Sequence, residues 1–246
     1  MKRYLSLDTK HNNKLVAEIA ETIKEFYPIG IGRESPEYNA HPGVIKMNEI
    51  MEDNILNNKN FRERWGTFLK KLRKDLKKSA DDLHSTTYGV GPSFSADLIL
   101  ENYEDDALTR VKRLSFAVSL IAPFYTVYGV DETGIKEKDH EFGGAYRAIN
   151  VITVSPFKEF EKDFNYLQQQ IEKQFTGYKF VPITMSLTEV KGLYHHYLQD
   201  AKIHNALFNH LFDLYDTSFG HTRGDTLYGY GESNIKVTLS PPPPSH

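Results

Sequence analysis

Three side chains with the chemistry of a phosphate or acid–base site fall close together in the chain: His221, Arg223 and Asp225. An imidazole can give or take a proton near neutrality, a guanidinium can clamp an oxyanion at two points, and a carboxylate can orient either one. They occupy Gly220 to Gly231, a run rich in glycine and aromatic residues, where such side chains also tie turns to the backbone. The hydrogen-bonded turn is the expected account. If the chain is an enzyme acting on a phosphorylated or nucleotide-like substrate, catalysis belongs to this turn together with His140.

Other candidate constellations fall short. His140-Glu141 opens like a zinc-protease helix, but position 144 is glycine, and Gly143-Gly144 disfavours a helix there. His195, His196, His204 and His210 lie in a region of helical spacing. On one helix, adjacent residues point about 100° apart, and His196 and His210 share a face but stand about 21 Å apart along the axis. They cannot gather one ion. Gly89-Val-Gly91-Pro92 precedes a strand and has no Gly-Lys-Ser/Thr ending, so it reads as a turn and not a phosphate loop. No serine-nucleophile elbow of the G-x-S-x-G type occurs. The chain has no cysteine, which removes disulfides, thiolate nucleophiles and thiolate-bound metals together. We expect no metal and no cofactor, and the chain reads as non-enzymatic.

Charge geography supports a binding role instead. Glu104, Asp105 and Asp106 fill one corner, and Asp131, Glu132, Glu137, Asp139 and Glu141 fill a later loop. If Pro123 marks a tight reversal, both acidic stretches fall at one end of a sheet and form a negative rim suited to a basic protein. If Pro123 is a bulge in one long strand, they fall at opposite ends, and two solvated loops are the simpler account of both. A formal net charge of -3 gives no global attraction to polyanions. Nucleic-acid or anionic-membrane binding would have to come from residues 62–78, where Arg62, Arg64, Lys70, Lys71, Arg73, Lys74, Lys77 and Lys78 outnumber Glu63 and Asp75. A solvated face explains them more simply, the later ones favoured by a helix C-terminus. The expected function is that of a cytoplasmic binding module, comparable with bacterial immunity proteins or antitoxins that neutralise a toxin through an acidic or aromatic surface. A basic toxin is the partner such a surface would fit.

The elements that must position these residues emerge from periodicity. Phe94, Ala96, Leu98 and Leu100 alternate with Ser93, Ser95, Asp97 and Glu101, and Leu114, Phe116, Val118 and Leu120 alternate with Ser115, Ala117, Ser119 and Ile121. Period two predicts a β-hairpin. Leu114 to Val130 carries no charge, but Pro123 and Gly129 break it, and a buried central sheet explains it better than a membrane span.

Helices are expected over Asn13 to Phe26, around Val44 to Leu56, over Asn60 to Lys78, from Ser155-Pro156 to Gly177, and along a long stretch from Ser186 to Tyr215. Further strands are expected at Ala145 to Val154, Tyr178 to Ile183 and Ile235 to Leu239. The whole predicts an α+β fold, an antiparallel β-sheet with helices packed mainly on one face, as a single domain over 1–239. Its helical part is 1–80 and its sheet-rich part 85–239. Residues 240–246, proline-rich, are expected to be an extended, disordered tail.

Overall fold

Helices crowd the first third of the chain, and long strands dominate its middle. The computed structural model describes residues 4–87, 91–137, 146–155, 160–194, 200–210 and 220–224, with side chains over 4–87, 91–133, 160–194 and 200–210. After β1 (Tyr4–Leu5) comes α1 (Lys14–Phe26), whose first N–H groups are capped by the Asn13 side chain at Leu15 and Val16. Helices α2 (Pro36–Ala40) and α3 (Pro42–Met51) each start on proline, where a missing N–H costs nothing. A wide π turn links α3 to α4 (Asn58–Phe61), and a second links α4 to α5 (Thr67–Leu76). Lys77, in the left-handed conformation at φ 54°, ends that run.

Strands β2 (Leu83–Ser85), β3 (Ser93–Glu104), β4 (Leu108–Ser119), β5 (Phe124–Glu137) and β6 (Tyr146–Ser155) then pair antiparallel in sequence order. Helix α6 (Glu161–Gln174) leads to β7 (Lys179–Phe180), which joins the start of β5 in parallel. The chain continues through α7 (Ile183–Ser186), β8 (Glu189–Tyr194), β9 (Asp200–Lys202) and α8 (Ile203–Leu207) to β10 (Gly220–Gly224), parallel to β6. A small second sheet sets β8 between β1 and β9. The fold is α+β, with a mixed, mostly antiparallel main sheet.

Alternation along the strands fixes two cores. Phe94, Ala96, Leu98, Leu114, Phe116, Val118, Tyr125 and Val127 project to one face, where Trp65, Phe68, Leu69 and Leu72 before and within α5 meet Phe164, Leu167 and Ile171 of α6. Trp65 stacks on Phe94 with ring centroids 5.3 Å apart and planes 9° off parallel. At Gly129 the Phe160 ring lies so close that any Cβ would collide with it. The opposite core gathers Ile19, Ile23 and Phe26 of α1, Val44 and Met47 of α3, Val190 and Leu193 of β8, and Ile203 and Leu207 of α8, with Ala117 and Phe124 from the main sheet. Tyr27, buried, donates to the Ala206 carbonyl at 2.6 Å and lies 3.0 Å from His210 Nε2, tying α1 to the residues around α8.

The helices are therefore divided between two faces and not gathered on one. Strand polarity explains the difference: Ser93, Ser115, Ser119 and Thr126 look like a solvent face in sequence, yet the structure buries them. The predicted helix from Ser186 also gives way, to β8, β9 and the short α8. Gly192, at φ 78°, adopts a conformation a helix does not contain. Ser155 closes β6 and does not cap the next helix, which begins at Glu161. Residues 131–137 extend β5 where a loop was expected. The proposed strand at 235–239, the tail at 240–246 and the helix beyond residue 210 lie outside the described residues. Among the described residues no helix is long and apolar enough to cross a membrane, and the uncharged run from Leu114 to Val130 lies in the main sheet and its β4–β5 turn.

Candidate functional site

Pro123 does mark a reversal. Strands β4 and β5 run in opposite directions about it, pairing Val118 with Tyr125 at the near end and Leu108 with Ile135 at the far end. The Asp105 to Ala107 corner therefore stands at the same end of the sheet as the exit of β5 at Glu137. This end extends beyond both cores: Glu101 through Ala107 are all exposed, as is Arg110.

The acidic residues at this end have different duties. Arg110 grips the carboxylate of Asp131 with two nitrogens, at 2.7 and 3.1 Å, a fork-to-fork pair that holds β4 to β5. Lys112 lies 3.6 Å from Glu101 on β3. Arg113 reaches both neighbours, with Nη1 3.1 Å from Glu132 Oε2 and Nε 3.4 Å from Asp97 Oδ2. Strand β4 is a cationic seam between two acidic strands, so Asp131 and Glu132 serve cross-strand pairing. Asp105 is drawn into its own corner: its Oδ1 accepts from the N–H groups of Ala107 and Leu108, and its Oδ2 accepts from the Tyr103 hydroxyl. Glu104 and Asp106 complete the exposed corner beside Tyr103, which is 54% exposed.

A second polar group, which sequence reasoning passed over, lies where the far end meets the core. Ser115 donates to Asp97 Oδ1 at 2.6 Å, and Tyr128 stands opposite Ser115 on β5. Burial, with Asp97 adding to it, pushes the Tyr128 hydroxyl well above the ordinary tyrosine range, so it stays protonated. The His204 ring meets Tyr128 edge to face at 5.8 Å. Burial, reinforced by Lys202, lowers His204 to about 3 and keeps it neutral. The signal available in sequence was the polar set Ser93, Ser95, Asp97, Ser115 and Ser119 on alternate positions, which reads as wet until α8 is known to cover part of it. This cluster is built to couple strands and helix, with the carboxylates neutralised by Arg113.

The remaining predicted residues are more scattered. His221 and Arg223 lie in β10, at register positions opposite Val151 and Thr153 of β6. Asp225, His140, Asp139 and Glu141, like His195 and His196, lie outside the described residues, and Glu137 ends β5. Glycine-rich as it is, the 220–224 segment is strand and not turn. Among the described residues no group of three or more histidines and carboxylates could hold a metal ion. On the basic helical run, Arg73 donates to the Leu83 carbonyl, Lys78 to the Ile99 carbonyl and Arg64 to Asn54. Lys70, Lys71, Lys74 and Lys77 face outward. Compared with protein-family models, curated proteins and solved structures, the chain matches none.

Proposed function

We propose that this protein is a binding module that engages a basic protein through the far end of its main sheet. The observation that supports this reading is the shared position of the 105–107 corner and the β5 exit, beyond both cores, with Tyr103, Glu104 and Asp106 on an exposed acidic and aromatic corner. An acidic surface speeds encounter with a basic partner and disfavours acidic ones, while an exposed tyrosine adds contact area at low entropic cost. The ion pairs of Arg110 and Arg113 stiffen the end before binding, which lowers the ordering cost of association. Neutralisation of a basic toxin, in the manner of an immunity protein, is the biological role that such a surface suits.

The test is affinity purification with immobilised protein, comparing the native chain with a Glu104→Lys/Asp106→Lys variant. Asp105, Asp131 and Glu132 are left intact because they hold the corner and the strands. Loss of a basic protein from the variant eluate supports the reading. Equal recovery from both removes the acidic end from consideration.

A second reading, an anionic partner on α5, is supported by the outward row of Lys70, Lys71, Lys74 and Lys77. The apolar side of that helix is committed to the core, so attraction there would be electrostatic and would weaken steeply with added salt.

A further inference from the structure

Among the described residues, the edge of the main sheet beside the acidic corner is only partly covered. Strand β2 pairs with β3 over three residues, Leu83 with Leu98 to Ser85 with Ala96. The next outward groups are also satisfied: the Ile99 N–H donates to the Asp82 carbonyl at 2.6 Å, and the Ile99 carbonyl accepts from Lys78 Nζ at 3.1 Å. Beyond Ile99 the chain of α5 and β2 has turned away, and among the described residues no strand pairs with this side of β3.

The corner determines which backbone groups point outward. The Asp105 N–H donates to the Leu108 carbonyl at 3.0 Å, so Asp105 and Leu108 are a hydrogen-bonded pair. Antiparallel pairs alternate, so Tyr103 with Arg110 and Glu101 with Lys112 are bonded pairs as well. Asn102, opposite Val111 between them, turns its N–H and carbonyl away from β4, toward the open edge. A bulge between Ile99 and Glu101 sets this phase. Leu100 to Glu104 thus offers about 17 Å of strand edge at ~3.4 Å per residue.

We infer that this edge accepts an extended, basic segment of the partner as an added antiparallel or parallel strand, with Asn102 exchanging backbone hydrogen bonds with it. The inference deepens the proposed function and rests on it for the partner's charge. Charge selects the occupant: Asp82, with Asp81 before it, lies at one end of the edge beside Lys78, Glu101 lies along it with a side chain 61% exposed and 3.6 Å from Lys112, and Glu104 to Asp106 close the other end, so carboxylates outnumber cations. An acidic or neutral strand would meet these carboxylates at a cost, whereas a strand with lysine or arginine at alternate positions meets them favourably. Backbone bonds supply the pairing and the flanking carboxylates the selectivity.

The probe is a seven-residue peptide alternating lysine and valine, acetylated and amidated, titrated into the full chain and followed by amide NMR and hydrogen exchange. The expected result is saturable binding, shifts confined to residues 99–106, and at least tenfold slower exchange of the Asn102 amide. The same peptide N-methylated at every residue keeps its charge but cannot donate, and should bind at least tenfold more weakly. Equal binding of the N-methylated peptide, an unprotected Asn102 amide, or no binding of the parent peptide would each overturn strand addition. The Glu104→Lys/Asp106→Lys variant separates this from the broader reading. If it weakens both peptides alike and Asn102 stays unprotected, the acidic end stands and the edge falls. If it leaves the parent peptide's affinity and the Asn102 protection unchanged, the edge stands and the acidic corner falls.

Discussion

Arg113 and Glu132 face one another across β4 and β5, Nη1 to Oε2 at 3.1 Å, with both side chains less than a quarter exposed. Because Arg113 also approaches Asp97, two partly buried carboxylates share its charge. Its removal leaves both acids in a poorly solvated position.

Arg113→Met should therefore destabilise the fold by about 2 to 3 kcal/mol, more than an exposed ion pair would contribute. Urea unfolding measures this. The double change Arg113→Met/Glu132→Met should recover part of the loss, because fewer carboxylates are then left uncompensated. No recovery would mean that the two side chains are not energetically coupled.

Trp65 is fully buried and stacked on Phe94. Trp65→Ala should cost about 3 to 5 kcal/mol, since it opens a void between the basic helical run and the sheet. Loss of the unfolding transition, or a midpoint shift of that size, is the expected outcome. Gly129→Ala is the complementary case: with the Phe160 ring against it, overpacking should cost about 1 to 3 kcal/mol.

His204 predicts a pH dependence. Burial lowers it from 6.5 to about 3, so between those values the unfolded chain binds a proton that the native chain does not. The unfolded state holds more protons there, and stability must rise with pH across the window and be lost as pH falls through it. One such group contributes a slope of up to about 1.4 kcal/mol per pH unit. His204→Phe should flatten the stability profile between pH 4 and 6, a range chosen within the window of about 3 to 6.5. An unchanged slope would show that His204 takes up its proton while folded.

Periodicity was a sound guide where one face was uniformly apolar. Leu114, Phe116 and Val118, and the α6 series Phe164, Leu167 and Ile171, all reach the core that alternation or helical spacing assigns them. It failed where the opposite face was polar yet covered, as at Ser115 and Ser119, because nothing local distinguishes a serine facing water from a buried one. The region after Ser186 misled for a related reason: Leu, Tyr and Ala at intervals of three and four fit a helix, while the positive φ of Gly192 is visible only in the folded chain. The acidic end was legible in part. Glu104 to Asp106 could be placed at a corner from sequence, but the engagement of Asp131 by Arg110 and of Glu132 by Arg113 depends on strand register, which composition does not encode.

The exposed corner makes the decisive prediction. Once a basic partner has been recovered with the native chain, hydrogen–deuterium exchange of the complex should show new protection at residues 99–110, strongest at Asn102, with α5 and the face carrying α1 unchanged. Protection on α5 or at 220–224, with residues 99–110 exchanging as in the free protein, would contradict the account.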